Sequence, residues 1–345
     1  MTNKKLNRRD FLKTVGLGAS SLALPQLITG CSSAAITPLR KKPVCENYKH
    51  VKLSNGKLDI TIVLPDQNVG FYRATRFDWS GMIADIRYKS HTFVQPWKSP
   101  HEPENTENAI GTAEEFREPL GYEEAKIGGG FIKIGVGILE KPQENEYIYG
   151  RSYKIIKPGT WKIEKLPGGI SFEQELTSDS GYGYLYKKQI IFEKKSPVFT
   201  ISHILKNTGQ KAFSTTHYCH NFFIIDGWPI GKGYTLSFPF QIKPKGDLLG
   251  IVETKENQII FLKGFQPGQA LCSLFEGFGP GSVSNQVSIK NATDRTGIEI
   301  IGDKSLEWIN LYAVTTTLCI EPGIRIKLQP GENFSWVNRY RFFEF

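Results

Sequence analysis

The chain has 345 residues and a formal net charge of +9, with 43 Lys and Arg against 34 Asp and Glu. Residues 1–43 hold seven of these nine excess positive charges, so the remainder is nearly neutral. A nearly neutral remainder argues against a basic groove, and we predict no nucleic-acid partner. The aromatic content of 12%, with 34 Gly and 19 Pro, is typical of many strands joined by turns.

Residues 1–31 have the features of a targeting signal rather than of a folded segment. The run Asn7-Arg8-Arg9-Asp10-Phe11-Leu12-Lys13 resembles a twin-arginine export motif, and Leu27-Ile28-Thr29-Gly30-Cys31 resembles a bacterial lipobox. The lipobox implies cleavage before Cys31 and lipidation of that residue, whose acyl chains would anchor it stably to a membrane. The alternative is a plain secretory signal with an incidental cysteine. We predict an exported, periplasmic lipoprotein in which residues 32–45 form a tether.

One domain is predicted from residue 46 to residue 345. Its first strand-like runs are Val51–Leu53, Leu58–Leu64 and Met82–Tyr88. Between the last two runs, Arg76, Asp78 and Trp79 stand close together. This combination suits a sugar site, in which an aromatic ring stacks on C–H groups and charged groups bind hydroxyls. The alternative is a structural Arg–Asp pair beside a packed Trp.

The stretch 98–126 is polar, acidic and poorly periodic, which predicts a long loop. Glu114, Glu115 and Arg117 lie in it. A triple glycine, 128–130, follows, but a strand rather than a helix comes next. A phosphate-binding loop is therefore not indicated.

Four cysteines follow the lipobox without CxxC or zinc-ribbon spacing: Cys45, Cys219, Cys272 and Cys319. In an exported protein they could pair as disulfides, or they could remain buried thiols, and the sequence leaves both possibilities open. We predict no metal and no organic cofactor.

Strand-like runs recur at short spacing from Tyr147 to the C-terminus, separated by Pro-Gly and Gly-Pro-Gly turns. The clearest are three consecutive runs that predict an antiparallel meander: Tyr184–Phe192, Val198–Leu205 and Phe213–Phe223. No repeat of 20–50 residues is visible, which argues against a propeller or solenoid. The fold class predicted is therefore all-β, a large antiparallel β-sandwich.

Two of the six histidines, His217 and His220, stand near the end of the third run. Because successive side chains of a strand alternate between faces, residues three apart point in opposite directions. The two histidines are therefore a poor chelating pair. His220 shares a face with Tyr218, and His217 shares one with Cys219. One histidine is expected in the core and the other can be functional, but alternation does not say which.

Glu321 is the second candidate, in Cys319-Ile320-Glu321-Pro322. A carboxylate after an apolar run and before proline is predicted to lie at a strand end, where a site could form. The alternative is an ordinary solvated glutamate at a turn.

The segment Thr215–Phe223 resembles the histidine segment of the galactose mutarotase (aldose 1-epimerase) superfamily, with His220 matching the general acid. Cys319–Pro322 resembles the segment of the catalytic base, which matches Glu321, and Leu328-Gln329-Pro330-Gly331-Glu332 resembles a further signature. The resemblance implies a mutarotase-like sandwich. It also implies a further histidine on an early loop, whereas this chain has none between His101 and His203, and Arg117 and Lys126 stand in that region.

The resemblance implies an aldose 1-epimerase-like isomerase, in which Glu321 acts as base and His220 as acid to interconvert sugar anomers. We expect Arg76, Asp78, Arg117 and Trp228 to contact the sugar. The alternatives are a carbohydrate-binding lipoprotein without catalysis and a lyase or hydrolase that acts on oligosaccharide.

Overall fold

The computed structural model describes residues 37–39, 44–144 and 146–345. The export motif, Cys31 and most of the tether 32–45 lie outside these residues. Within the described chain, no helix has the length and apolar character needed to cross a bilayer.

The described residues form 23 strands, with short 3₁₀ turns at Val44–Asn47 and Ser282–Ser284. The first twelve strands are β1 (His50–Ser54), β2 (Leu58–Val63), β3 (Ile83–Tyr88), β4 (His91–Thr92), β5 (Glu114–Phe116), β6 (Gly130–Lys133), β7 (Gly137–Glu140), β8 (Ile155–Pro158), β9 (Trp161–Leu166), β10 (Gly169–Thr177), β11 (Gly183–Phe192) and β12 (Val198–Asn207). The others are β13 (Phe213–Cys219), β14 (Tyr234–Ser237), β15 (Lys243–Pro244), β16 (Val252–Lys255), β17 (Gln258–Phe261), β18 (Leu271–Glu276), β19 (Gln286–Asn291), β20 (Thr296–Gly302), β21 (Trp308–Val314), β22 (Thr317–Leu328) and β23 (Asn333–Glu344).

Two large antiparallel sheets form the body of the molecule. One has ten strands in the order β16-β17-β14-β19-β20-β23-β12-β11-β10-β9, and the other has six in the order β15-β18-β21-β22-β13-β5. Smaller sheets, β1-β2-β3-β4 and β6-β7-β8, lie beside them. The all-β, antiparallel sandwich predicted from composition and turn spacing is confirmed.

The two large sheets pack face to face through aromatic side chains. Trp336 on β23 contacts His217 on β13, with ring centroids 4.7 Å apart, and Tyr186 on β11 meets Phe116 on β5 at 5.1 Å. All four side chains are buried. Large buried rings contribute much of the hydrophobic free energy of folding, because each removes a wide apolar area from water. This interface therefore fixes which face of β13 is interior.

The three predicted runs form the strands β11, β12 and β13, but the predicted antiparallel meander of three strands is wrong. β11 and β12 pair as a hairpin, whereas β13 crosses to the six-stranded sheet, where it pairs with β22 and β5, and it ends at Cys219. The C-terminal hairpin differs from prediction. The sequence suggested that a strand ends at Ile320, but β22 continues through Glu321 and Pro322 to Leu328. A proline is tolerated there because the pairing of β22 with β13 stops at Gly323, one residue later.

The short strand β5 lies inside the predicted loop 98–126. It pairs with β13, Glu115 facing Tyr218 and Glu114 facing Cys219. Because side chains alternate along a strand, these two consecutive carboxylates enter opposite faces of the six-stranded sheet.

Candidate active site

The candidate site lies on the face of the six-stranded sheet that is turned away from the ten-stranded sheet. Along β13, Tyr218 and the following His220 point to this face, whereas His217 and Cys219 point into the sandwich. This is the division that alternation predicts, and it assigns His217 to the core. On β21 and β22, Asn310 faces Glu321 in the register, so both side chains join the same face.

His220 and Glu321 are in direct contact. The distance from His220 Nε2 to Glu321 Oε1 is 3.0 Å, and each residue is only 4% exposed. The Asn310 amide donates to Glu321 Oε2 at 2.9 Å. The imidazole stacks on Phe222 at 4.1 Å and meets the edge of Phe77 at 5.6 Å. A solvated glutamate at a turn, the alternative left open by the sequence, is not what the structure contains.

Burial controls the protonation of this pair. It raises the pKa of Glu321 to about 8, although the Asn310 hydrogen bond and the charge of Arg76 act in the opposite direction. Burial also lowers the pKa of His220 well below its usual value, and Arg76 adds to this effect. At neutral pH the pair therefore holds one proton, which resides on Glu321 and is donated to His220 Nε2.

The raised pKa of Glu321 predicts a loss of stability as pH rises from 6.5 to 8. In this window the folded state retains a proton that the unfolded state has lost, so the free energy of unfolding should fall by about 1.4 kcal/mol per pH unit. Below pH 6.5 the three histidines whose pKa burial lowers, His101, His217 and His220, oppose this trend. Urea unfolding across the window measures the slope. Glu321→Gln should flatten it and the exposed Glu307→Gln should not; equal slopes in all three proteins would contradict the assignment.

Arg76 organises a second layer of the site. Its guanidinium donates to Glu115 Oε2 at 3.0 Å, to Glu107 Oε1 at 2.6 Å and to the Tyr218 hydroxyl at 3.2 Å. The Tyr218 hydroxyl in turn donates to Glu115. Buried charges are stable only when paired and hydrogen-bonded, and this cluster meets that condition.

Two further cations adjoin this layer. Lys133 is buried beneath it, with its ammonium 3.2 Å from Glu115 Oε1 and 2.7 Å from the carbonyl oxygen of Phe116. The Arg117 guanidinium lies over the ring of Tyr149 at 4.6 Å, and Arg76 lies 5.2 Å from the same ring.

Half-buried side chains surround this group of buried residues, and we call them the rim of the site: Tyr312, Cys272 and Trp308. Tyr312 lies 5.7 Å from the imidazole of His220, and Cys272 lies beside Asn310. Trp308 meets the Tyr218 ring at 5.1 Å and lies directly on Gly323, where a Cβ would be 2.3 Å from the indole. Glycine at this position is therefore what admits the indole to the rim.

Comparison with known proteins was made at the level of sequence and of structure. No family model and no curated protein matches the sequence. Among solved structures, a candidate aldose 1-epimerase from Escherichia coli K12 has a TM-score of 0.54 at 14% identity, covering 86% of this chain and 99% of that one. The protein has a galactose mutarotase-like fold. A galactose mutarotase-like protein from Lactobacillus casei (TM-score 0.53, 10% identity, coverage 85% and 100%) and an aldose epimerase homologue from C. elegans (0.51, 12%, 86% and 98%) are similar.

Not all predicted sugar contacts lie together on the mutarotase-like sandwich. Arg76 lies over the ring of Phe77, which meets the His220 imidazole, and the charges of both Arg76 and Arg117 act on Glu321. Asp78 lies elsewhere, 1% exposed, accepting from Tyr186 at 3.1 Å and paired with Lys188. Trp228 is also elsewhere, and its indole N–H donates to Asp294. Trp79, which the sequence grouped with Asp78, is buried and donates to the carbonyl oxygen of Ala74.

The interior network around Asp78 is the other concentration of charge in the mutarotase-like sandwich. The Lys188 ammonium is 2.6 Å from both Asp78 Oδ2 and Glu114 Oε2, and His203 Nε2 lies 2.9 Å from Glu114 Oε1. Burial opposes the charge of Glu114, but His203 and Lys188 outweigh it and hold its pKa well below the usual range. His217 Nε2 stands 4.0 Å from the same carboxylate.

Two groups of side chains have the donor atoms of a metal site, each set lying within 4.8 Å: Glu114, His203 and His217, and His91, Asp226 and Asp294. In the first, the ammonium of Lys188 already balances the carboxylate. The second includes acidic groups near the surface, and such groups are common without an ion.

Sequence reasoning missed several residues that build the site: Glu107, Asn310, Lys133 and Tyr218 as hydrogen-bonding partners. Glu115 and Arg117 were noted, but in a loop rather than beside β13. The available signal was the alternation in Phe213–Phe223, because it already placed Tyr218 on the face of His220.

Proposed function

We propose that the protein is an aldose 1-epimerase-like isomerase that interconverts the anomers of a sugar. The observation that carries the proposal is the direct contact of His220 with Glu321, a buried acid–base pair on one face of a mutarotase-like sandwich. The fold alone would not define an activity, since one fold can host many functions.

The pair can supply both proton transfers of the reaction. Entry of the sugar separates the side chains, and the single proton moves from Glu321 to His220. The Glu321 carboxylate then takes the proton of the C1 hydroxyl, and His220 gives its proton to the ring oxygen as the C1–O5 bond breaks. The C1 oxygen becomes an aldehyde, C1–C2 rotates, and the reverse transfers close the ring as the other anomer. The pair ends each turnover with the one proton that it held at the start.

Surrounding groups support this chemistry. Asn310 holds one carboxylate oxygen of Glu321, leaving the other for the sugar. Phe222 and Phe77 fix the plane of the imidazole. Arg76 and Arg117 are the proposed sugar contacts. No organic cofactor or metal is required for these transfers.

Anomer exchange measured by saturation-transfer NMR on a panel of free aldoses tests the proposal. We expect faster exchange than in buffer alone for at least one aldose. Methyl glycosides are the control, because they lack the C1 hydroxyl and cannot exchange. Binding of sugars without faster exchange would instead identify a non-catalytic carbohydrate-binding protein, and cleavage of an oligosaccharide would identify a lyase or hydrolase.

We also propose that the protein is exported and lipid-anchored through Cys31, on the strength of the twin-arginine and lipobox resemblances. Cys31→Ser should move the protein from the membrane fraction to the soluble fraction of a bacterial host, because the acyl chains provide the anchor. Mass spectrometry of the N-terminal peptide reports the modification. An unmodified Cys31 would identify a plain secretory signal.

A further inference from the structure

The guanidinium of Arg117 is a cation beside the candidate site without a carboxylate partner. Among the residues that the structure describes, no carboxylate oxygen lies within 4.0 Å of it. Its contact is the face of Tyr149, and the residue is half-buried. Removing part of a charge from water is costly unless a counter-ion replaces the lost hydration.

The nearby carboxylates are already committed to other groups. Glu115 binds Arg76, Lys133 and Tyr218. Glu107 accepts from Arg76. The remaining one, Glu118, accepts from the backbone N–H and hydroxyl of Thr216 and pairs with Arg325. Each of the three already accepts from another donor, so turning to Arg117 would weaken an existing contact.

Arg117 also stands on the face that carries the proposed chemistry. It follows β5 by one residue, so it shares the face of Glu115 and not that of Glu114. The charge of Arg117 also affects Glu321. Burial raises the pKa of that carboxyl group, whereas Arg117 and Arg76 act to lower it.

The charges of this face do not balance. Three cations, Arg76, Lys133 and Arg117, adjoin two ion-paired carboxylates, Glu107 and Glu115. The half-buried Lys98, whose ammonium lies over the ring of Trp97, is a fourth cation near Glu107 and Arg76. The His220–Glu321 pair adds no net charge, because it holds one proton. Positive charge is therefore in excess at the place where the sugar is proposed to bind.

We propose that the preferred substrate is a sugar that carries a carboxylate, a hexuronic acid, and that Arg117 binds this carboxylate. The inference rests on the proposed function. A guanidinium fork matches a planar carboxylate through two parallel hydrogen bonds, and a substrate carboxylate would supply the counter-ion that Arg117 lacks.

Binding of methyl glycosides tests the inference separately from catalysis, since these sugars cannot exchange anomers. By calorimetric titration, the methyl glycosides of glucuronic and galacturonic acid should bind at least about tenfold more tightly than those of glucose and galactose. Arg117→Gln should abolish this preference. Arg339→Gln, which removes an arginine paired with Glu193 on the other sheet, should retain it. Thermal unfolding confirms that each variant is folded.

Equal binding of neutral and acidic glycosides, or a preference that survives Arg117→Gln, would overturn the inference. Tighter binding of glucose 6-phosphate than of either uronide would overturn the carboxylate assignment. Faster anomer exchange on neutral aldoses without a uronide preference would leave the proposed function standing alone. Uronide binding that depends on Arg117, without faster exchange on any free sugar, would support the inference and remove the catalytic proposal.

Discussion

Replacing Glu321 by glutamine is expected to slow the catalysed anomer exchange by about 10²–10⁴-fold, and His220→Ala should have an effect of the same order. The glutamine keeps the shape of the side chain and its contact with Asn310, but it cannot accept the proton of the C1 hydroxyl. The alanine removes the acid that protonates the ring oxygen. Saturation-transfer NMR on the most responsive aldose measures both losses against the unmodified protein.

A variant that combines Glu321→Gln with His220→Ala tests whether the two residues act together. If the two residues act as one relay, the combined loss should be close to that of either single variant rather than the product of both. Asn285→Ala reports the effect of a general structural change, because this buried amide lies beside the ten-stranded sheet and donates to the carbonyl oxygen of Lys304. Exchange that continues at an unchanged rate in Glu321→Gln would show that the pair is not the catalytic centre.

Lys188→Met is expected to lower the free energy of unfolding by about 3–5 kcal/mol. The ammonium is the shared partner of Asp78 and Glu114 in a part of the sandwich closed to water, and methionine fills its volume without its charge. Two carboxylates would then be buried with too little positive charge around them. Urea unfolding at pH 7 measures the change.

The adjacent residue provides a matched control. Lys187 is half-buried on the opposite face of β11, and its ammonium is 3.9 Å from Glu173. Lys187→Met should change the free energy of unfolding by no more than about 0.5 kcal/mol, because surface ion pairs contribute little. Similar losses in both variants would argue against the interior network as a centre of stability.

The all-β class, the hairpin of β11 and β12 and the opposite facing of His217 and His220 could be predicted because they depend on local periodicity. The place of β13 in the other sheet could not, because its partners β22 and β5 are distant in the chain. The position of Glu321 could be predicted only in part. Its neighbour Pro322 suggested a strand end. The strand continues because β13 does not pair with β22 at Pro322, so the missing N–H of the proline breaks no hydrogen bond between these strands. A local pattern does not contain the register between distant strands, so that detail was inaccessible.

The buried charges of the sandwich also depend on contacts between residues that are distant in the chain, so the local sequence could not predict them. Lys188 follows Lys187 in an alternating strand, and a lysine in such a pattern is normally exposed. Its burial depends on Asp78 and Glu114, which are 110 and 74 positions earlier in the chain. Asp78 was predicted to be a sugar ligand for the same reason, because its partner Lys188 lies on the distant strand β11. The type of a residue indicates which chemistry its side chain can perform, but only the fold determines on which face of a sheet that side chain lies.

The strand β5 ties the evolution of the site to that of the core. Its consecutive glutamates serve the two sides of the same sheet, Glu114 within the sandwich and Glu115 beneath the site. Insertions in the preceding loop can alter what covers the site while both glutamates stay in place. A shift of one position within β5 would exchange their faces, depriving Lys188 and Arg76 of their partners together. Related chains should therefore vary in length before this strand and keep strict spacing through it.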